Sequence, residues 1–242
     1  MGKLHIGTSG FNYKDWREIF YPKGTPQKAW LAYFAQHFNT VEINATFYGH
    51  FKPHVFANWR DSTPDDFCFA LKGPKIITHT KRLQEVDEDL RYFLEGTTEL
   101  TDKLGVILWQ MPPSYKYDEA TIGELEAFLA KLPTDTRQAL EVRHKSWFND
   151  EFYALLNRFG VGFVVNDSSR WAQAEAVTGG FMYVRFHGPD KLYASEYSAE
   201  EMQAWAEKIK PRLEQMDVFI YFNNDYGGRA LRNAVQLREL LE

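Results

Sequence analysis

The 242-residue sequence contains a single cysteine, Cys68, and no apolar run that approaches 18 residues. One cysteine excludes a disulfide framework and a metal cluster held by thiolates. The short apolar runs exclude a membrane-spanning helix, and residues 1–6 lack the apolar stretch of a signal peptide. We therefore expect a protein of the cytoplasm without membrane contact.

Neither sign of charge is in large excess. Twenty-eight Lys and Arg residues stand against 33 Asp and Glu residues, so the formal net charge is −5 at pH 7. An acidic chain repels the phosphate backbone, which argues against broad contact with nucleic acid. Aromatic residues are abundant at 16% of the chain, and we expect some of them to line a binding site.

A strand followed by a helix recurs along the chain. Eight apolar, β-rich runs begin about 30 residues apart on average, which is the length of one βα unit in an eightfold barrel. The predicted strands begin near Leu4, Val41, Phe67, Leu104, Ala139, Val161, Phe181 and Asp217. We therefore expect residues 1–242 to form one α/β domain, a single (β/α)8 TIM-like barrel.

Helical patterns lie between most of these strands. Apolar spacing and terminal signals predict helices over Gln27–Phe38, Glu88–Lys103, Glu119–Leu132, Phe148–Phe159, Ser198 to about Met216, and Arg229–Leu241. We expect Thr25 and Pro26 to begin the first helix, and a capping box from Ser198 to Glu201 to begin the helix that ends near Met216. The segment Asp167–Gly180 is too irregular for a full helix. The sixth helix of the barrel, which would follow the sixth strand, is therefore predicted to be short or missing.

Side-chain alternation favours a closed barrel over an open sheet. Leu140 and Val142 share one strand face while Glu141 and Arg143 share the other, and four further strands alternate in the same way. A sheet covered by helices on both faces would instead give near-continuous apolar strands. At their C-terminal ends the polar faces carry Asn44, Lys72, Gln110, Arg143, Asn166, His187 and Asn223.

Barrel enzymes carry their active residues at the C-terminal ends of the strands, and the ionisable residues of this sequence concentrate there. Glutamate and histidine transfer protons, so the candidate catalytic residues are Glu42, Glu141 and His187. Arginine and lysine bind carboxylates and phosphates, and amides bind hydroxyl groups. The candidate substrate-binding residues of this kind are Asn44, Lys72, His79, Gln110, Arg143, Arg185 and Asn223.

Aromatic residues and glycine-rich turns gather at the same predicted end. Aromatic rings at a barrel mouth stack on ligands and exclude water, although each could instead pack a loop against the barrel. The aromatic candidates are Tyr13, Trp16, Tyr48 and Trp147. Turns after the first and last strands could direct backbone N–H groups at an anion. The residues of these two predicted anion loops are Thr8, Ser9, Gly227 and Gly228.

Two other interpretations of the charged residues stay open. Glu42, Glu141 and Arg185 could form a salt-bridged layer inside the barrel with a purely structural role. The two glutamates could instead bind zinc or manganese together with His79 and His187. Three nearby cations oppose a divalent ion, so we expect no metal and no other cofactor.

Seven separated motifs agree in order with one known family over essentially the whole chain. They are Gly7–Tyr13 with Trp16, Val41–Tyr48, Phe69–Lys72, Gln110–Pro113, Glu141–His144, Tyr183–Gly188 and Tyr221–Asn224. In these motifs the sequence resembles the YecE-like barrel family, also called domain of unknown function 72. The resemblance implies a (β/α)8-like barrel with a polar pocket, and it carries no catalytic assignment.

Together these features predict an enzyme that acts on a small anionic or phosphorylated metabolite at the barrel mouth. The expected chemistry is hydrolysis, isomerisation or a lyase reaction without a metal. One alternative is a non-catalytic module that binds a nucleotide or single-stranded nucleic acid. Another is a metal-dependent hydrolase or isomerase.

Overall fold

The computed structural model describes all 242 residues and contains eight parallel β-strands in one sheet. The strands are β1 (Leu4–Thr8), β2 (Thr40–Ile43), β3 (Cys68–Lys72), β4 (Leu104–Gln110), β5 (Arg137–Glu141), β6 (Val161–Asp167), β7 (Met182–Phe186) and β8 (Val218–Phe222). Consecutive strands from β2 to β8 are neighbours, and β8 pairs with β1. Each strand begins close to its predicted start.

The sheet closes into a barrel where β1 meets β2. The backbone N–H of Gly10 donates to the carbonyl oxygen of Glu42 at 2.7 Å, and Ser9 forms a parallel bridge with Glu42. A Cβ atom at Gly7 would lie 2.1 Å from the carbonyl oxygen of Thr40, so only glycine fits at this approach. The predicted (β/α)8 barrel is confirmed.

Eight α-helices accompany the strands. They are α1 (Trp30–Phe34), α2 (Ala45–Tyr48), α3 (Pro53–Asp61), α4 (Asp87–Thr97), α5 (Glu119–Leu129), α6 (Asp150–Arg158), α7 (Ala199–Leu213) and α8 (Arg229–Leu241). The predicted capping box is present, because the Ser198 hydroxyl accepts from the N–H of Glu201 while the Glu201 carboxylate accepts from the N–H of Ser198. None of these helices is long and apolar enough to cross a membrane.

The first helix is shorter than predicted. A 3₁₀ turn over Gln27–Ala29 precedes α1, and α1 ends at Phe34 rather than Phe38. Pro26 precedes the turn, and no side chain caps it, so the predicted role of Thr25 as the N-cap was wrong.

The helix predicted over Glu88–Lys103 also ends early. Its α-helical part stops at Thr97, and a 3₁₀ segment follows in which Thr101 has a φ of 53°. The Lys103 ammonium group donates to the carbonyl oxygens of Arg60 and Thr63 at 2.7 and 2.8 Å. These contacts hold the segment against the end of α3, and they account for the departure of the chain from α-helical geometry.

No helix lies between β6 and β7, as predicted. Residues 168–181 form bends, a turn and extended chain. The Thr178 hydroxyl accepts from the N–H of Phe163 at 2.7 Å and donates to the carbonyl oxygen of Val161 at 2.6 Å. The Thr178 side chain therefore holds this segment against the N-terminal part of β6.

Alternate strand residues build two separate apolar clusters. Residues such as Val41 and Leu140 point outward and pack under the helices in a cluster of 54 buried residues. Residues such as Ala70 and Tyr221 point inward and form a cluster of ten within the barrel. The predicted alternation is confirmed, and it directs the charged residues of the same strands inward.

The inward packing predicts a specific response to an added methyl group. Gly105 is the extra residue of a bulge between β3 and β4, and a Cβ atom there would lie 2.1 Å from the Cys68 sulfur. We expect Gly105→Ala to lower the free energy of unfolding by about 1–3 kcal/mol, measured by urea denaturation, because the barrel must expand.

Gly123→Ala is the matched control for this substitution. Gly123 lies exposed in α5 with no other atom within 4 Å of an added Cβ. The control should be neutral or stabilising by about 0.5–1 kcal/mol, because alanine favours a helix over glycine. Equal losses in both variants would contradict the packing argument.

Candidate functional site

Arg185 lies at the centre of the charged cluster inside the C-terminal end of the barrel. It is on β7, and only 1% of its surface is exposed. Its Nη2 donates to Glu42 of β2 at 2.7 Å, and its Nη1 donates to Glu141 of β5 at 2.5 Å. One guanidinium group therefore joins strands from three sides of the barrel.

The remaining acceptor sites of the two carboxylates are also used. Glu42 accepts from the hydroxyl groups of Ser9 and Tyr183, each at 2.7 Å. Glu141 accepts from Nε of Arg143 at 2.5 Å. Because every carboxylate oxygen has a donor, the geometry matches the salt-bridged layer that the sequence left open as an alternative.

Ion pairing keeps this cluster charged. Burial opposes ionisation of Glu141, but Arg143 and Arg185 outweigh it and hold the pKa of Glu141 well below its usual range. Burial likewise opposes the charge of Arg185, but Glu42 and Glu141 outweigh it and raise the pKa of the guanidinium group. Glu141 and Arg185 are therefore both ionised at neutral pH.

Lys72 is the cation of the cluster that has no counter-ion. It ends β3, is 8% exposed, and its Nζ lies 4.2 Å from the centre of the Phe47 ring. That nitrogen forms no hydrogen bond and no ion pair with the protein. Burial, aided by Arg185 and Arg143 and opposed by the two glutamates, lowers the pKa of Lys72 to about 7.

Arg143 presents a free edge toward the mouth. Its Nε bonds Glu141, while its two terminal nitrogens have no hydrogen-bond partner within the protein. The indole ring of Trp171 covers its guanidinium face, with the ring centre 3.5 Å from Cζ. Sequence reasoning missed Trp171, although its position in the irregular β6–β7 segment marked it as a loop residue near the mouth.

His187 is buried next to the cluster in a neutral form. Its Nε2 lies 3.1 Å from Oδ1 of Asn166, and its Nδ1 lies 3.2 Å from Nδ2 of Asn223. These contacts fit an imidazole that donates through Nε2 and accepts through Nδ1. Burial and the nearby Arg185 lower the pKa of His187 well below its usual value.

His79 is the second imidazole of the site. Its Nδ1 lies 2.9 Å from the Thr78 hydroxyl, its Nε2 lies 3.5 Å from the Gln110 amide, and its ring packs edge-on against Phe47. Burial and then Lys72 lower the pKa of His79 to about 4. Asn44 lies at the end of β2, and its buried Oδ1 has no hydrogen-bond partner.

Two of the predicted aromatic residues pack loops and do not line the site, whereas Tyr48 packs edge-on against Phe47 with 5.0 Å between the ring centres. Trp16 and Trp147 are fully buried, and their indole N–H groups donate to backbone carbonyls of surrounding loops, so they pack loops against the barrel. Tyr48 is 79% exposed at the end of α2. Tyr13 contacts the site indirectly, because its hydroxyl donates to the carbonyl oxygen of Ser9 at 2.5 Å.

The two predicted anion loops are already occupied by groups of the protein. The N–H of Gly227 donates to the carboxylate of Asp15 at 2.9 Å, and Gly228 next to it begins α8 away from the charged cluster. In the first loop, the Thr8 hydroxyl donates to the carbonyl oxygen of Gly10 and the Ser9 hydroxyl donates to Glu42. Neither loop offers an open anion site.

Several surface cavities, the largest of these of about 670 Å³ between α7 and α8, lie away from the cluster. One of about 470 Å³ runs between the segment after β1 and α8, and another of about 490 Å³ lies beside the N-terminal end of β5. Little of the cluster reaches the surface at the mouth, because Trp171 covers Arg143, whose side chain is 9% exposed, and Phe47 packs against Lys72, which is 8% exposed. No three His, Cys, Asp or Glu side chains come together as a set of metal ligands.

Fold and site together define a (β/α)8 barrel protein whose C-terminal mouth holds a nearly closed cluster of buried charges. The chain belongs to the family described as "Protein of unknown function DUF72", whose model matches residues 5–242. The resemblance seen in the sequence motifs is thereby confirmed.

Named relatives cover most or all of the chain. The UPF0759 protein YunF of Bacillus subtilis is 28% identical over 99% of this chain and 95% of its own length. The UPF0759 protein YecE of Escherichia coli K12 is 36% identical over 68% of this chain and 59% of its own length. A DUF72 family protein from Thermotoga maritima has a crystal structure that matches with a TM-score of 0.89 and 30% identity, over 99% of both chains. These relatives establish family and fold and assign no reaction.

The ion-pair cluster predicts that removal of its central cation is costly. Arg185→Met leaves two buried carboxylates without their shared partner, so we expect the free energy of unfolding to fall by about 3–5 kcal/mol. Urea denaturation measures the change. Arg91→Met is the control, because the Arg91–Glu95 pair is exposed and should contribute less than about 1 kcal/mol. A small loss in Arg185→Met would contradict the central role of Arg185.

The lowered pKa of Lys72 predicts a pH dependence of stability. Between pH 7 and its ordinary value of 10.5, the unfolded chain holds a proton on this side chain that the folded protein lacks. The free energy of unfolding therefore rises with pH across this range. Lys72→Met removes that contribution, so wild type should gain stability relative to the variant as pH increases from 7 to 10. Parallel pH profiles of the two proteins would contradict the prediction.

Proposed function

We propose that the protein is an enzyme that acts on a small anionic metabolite at the C-terminal mouth of the barrel. One observation carries the proposal. Both buried carboxylates are fully paired, whereas the terminal nitrogens of Arg143 and the Nζ of Lys72 have no partner in the protein. The mouth therefore offers hydrogen-bond donors that no group of the protein occupies.

Arg143 is the group best suited to hold the anion. The hydrogen-bond donors of a guanidinium group lie in its plane, and a carboxylate or phosphate meets them in pairs. Trp171 covers the face of Arg143 and leaves that edge available. The Lys72 nitrogen adds a further donor without a partner, and Asn44 has an unpaired oxygen that can accept from a substrate hydroxyl group.

The candidate groups for proton transfer are all engaged in contacts within the protein. Glu42 and Glu141 are occupied by arginine, serine and tyrosine donors, which favours a role in orienting Arg143 and Arg185. Their proposed catalytic role stays a prediction. Burial holds the pKa of His187 well below its usual value, and Asn166 and Asn223 occupy both ring nitrogens, so its catalytic role also stays a prediction.

The proposed chemistry is hydrolysis, isomerisation or a lyase reaction. We favour a reaction without a metal, because Lys72, Arg143 and Arg185 repel a divalent cation. The small exposed part of the cluster favours a substrate of few atoms. A nucleotide or single-stranded nucleic acid would need more exposed contact surface than these largely buried side chains provide.

Small anions should stabilise the folded protein at this site. The test measures the Tm of the protein at constant ionic strength with inorganic phosphate, lactate or glycerol phosphate, and with glycerol as the neutral probe. An anion at ten times its Kd stabilises by about 1.4 kcal/mol, which raises the Tm of a chain of this size by roughly 3–5 °C. Arg143→Met should abolish the shift, whereas Arg91→Met should keep it.

Three other outcomes of this experiment would contradict the proposed anion site. An equal shift in wild type and Arg143→Met would place anion binding elsewhere on the protein. The absence of any shift across the panel would remove the anion site. A shift with a short single-stranded oligonucleotide, but with none of the small anions, would favour the non-catalytic binding module.

A further inference from the structure

Lys72 is buried without the counter-ion that a buried ammonium group requires. Two carboxylates lie in the same cluster, but the oxygens of Glu42 and Glu141 are occupied by Arg185 and other donors. The contact with Phe47 stabilises a cation only weakly compared with the cost of burying an unpaired charge. The surroundings therefore favour the neutral amine.

The backbone of Lys72 is held firmly in place. The Thr46 hydroxyl lies 2.7 Å from the Lys72 carbonyl oxygen and donates to it, and Lys72 is the last residue of β3. Strand alternation directs the side chain into the barrel mouth. Its neighbours there include the charged Arg143 and the polar His79. A neutral amine fixed beside an anion-binding guanidinium group is suited to nucleophilic attack.

We propose that Lys72 is a nucleophilic amine that forms an imine with a small anionic aldehyde or ketone whose charged group is held by Arg143. The inference rests on the proposed anion site, and it gives Lys72 a covalent role instead of a second ionic contact. The small exposed part of the cluster limits the substrate to few atoms, which favours short oxo acids and small phosphorylated carbonyl compounds.

The step is balanced without any further reactant. The Lys72 nitrogen attacks the carbonyl carbon, a C–N bond forms, and the carbonyl oxygen takes up the proton that the nitrogen loses. The resulting hydroxyl group takes up a second proton and leaves as water, and a C=N bond forms. After the nitrogen releases its remaining extra proton, one amine and one carbonyl compound have given one imine and one water.

His79 is a polar neighbour of the Lys72 nitrogen. The Lys72 nitrogen and the His79 ring contact the same Phe47 ring, at 4.2 and 4.9 Å from its centre. The Thr78 hydroxyl and the Gln110 amide orient the imidazole. Its lowered pKa keeps it neutral at the pH at which the amine is nucleophilic.

Borohydride trapping tests the imine directly. The wild-type protein is incubated with glyoxylate, pyruvate or dihydroxyacetone phosphate and then reduced with sodium borohydride, which converts an imine into a stable secondary amine. Intact mass and peptide mapping should locate one adduct on Lys72. Lactate and glycerol phosphate, which lack an aldehyde or ketone group, and neutral acetone should give none.

Two variants separate specific trapping from random lysine chemistry. Lys72→Met should lose the adduct, whereas Lys75→Met should keep it, because Lys75 is exposed on the loop that follows β3. Circular dichroism checks that Lys72→Met is folded, and the peptide map of wild type does not depend on that variant. An adduct spread over surface lysines, or unchanged in Lys72→Met, overturns the proposal, as does the absence of any adduct.

The thermal experiments distinguish failure of this step from failure of the anion site. If lactate and glycerol phosphate stabilise the protein through Arg143 while no carbonyl compound is trapped, the anion site stands and the covalent role of Lys72 falls. If neither stabilisation nor trapping occurs, both proposals fail together.

Discussion

The guanidinium group of Arg185, shared between two buried glutamates, is the interaction on which the site depends. It connects β2, β5 and β7 across the barrel and uses the negative charge that would otherwise neutralise other cations. A buried cluster of this kind contributes little net stability, but removal of one partner leaves an uncompensated charge. Because Arg185 takes up Glu42 and half of Glu141, Lys72 stays without a counter-ion and Arg143 keeps a free edge.

Most of the fold and the location of the site follow from alternation along the strands. A period of two residues tells which side chains share a face, so Glu42, Glu141 and Arg185 could be placed inside the barrel from the sequence alone. Alternation does not give the distances between side chains on different strands. The sequence therefore left open whether the glutamates transfer protons or pair with arginines, and only the three-dimensional arrangement shows that every carboxylate oxygen has a donor.

Predictions for loop residues succeeded less often, for a physical reason. Loops have no fixed period, so the direction of a side chain such as Trp16 or Trp147 cannot be read from its position, and both pack inward under loops. Gly227 has the backbone freedom of an anion loop, but the sequence gives no sign that Asp15, more than two hundred residues earlier, occupies its N–H group. Trp171 reaches the mouth because the segment after β6 forms no helix, and an irregular segment of this length has no pattern that reveals where its side chains point.

Burial of the cluster strengthens the electrostatic case for a small ligand. Trp171 lies against the face of the Arg143 guanidinium group, whose donors project from the edge within the plane. The ring therefore excludes water from the face while it leaves the hydrogen-bonding direction open. In a site with little water, an ionic hydrogen bond is stronger than the same bond at the surface, because the local dielectric constant is low. The same burial lowers the pKa of Lys72 to about 7. The two proposals therefore draw on one arrangement, in which aromatic rings leave the edge of Arg143 open and cover an amine that loses its proton near neutral pH.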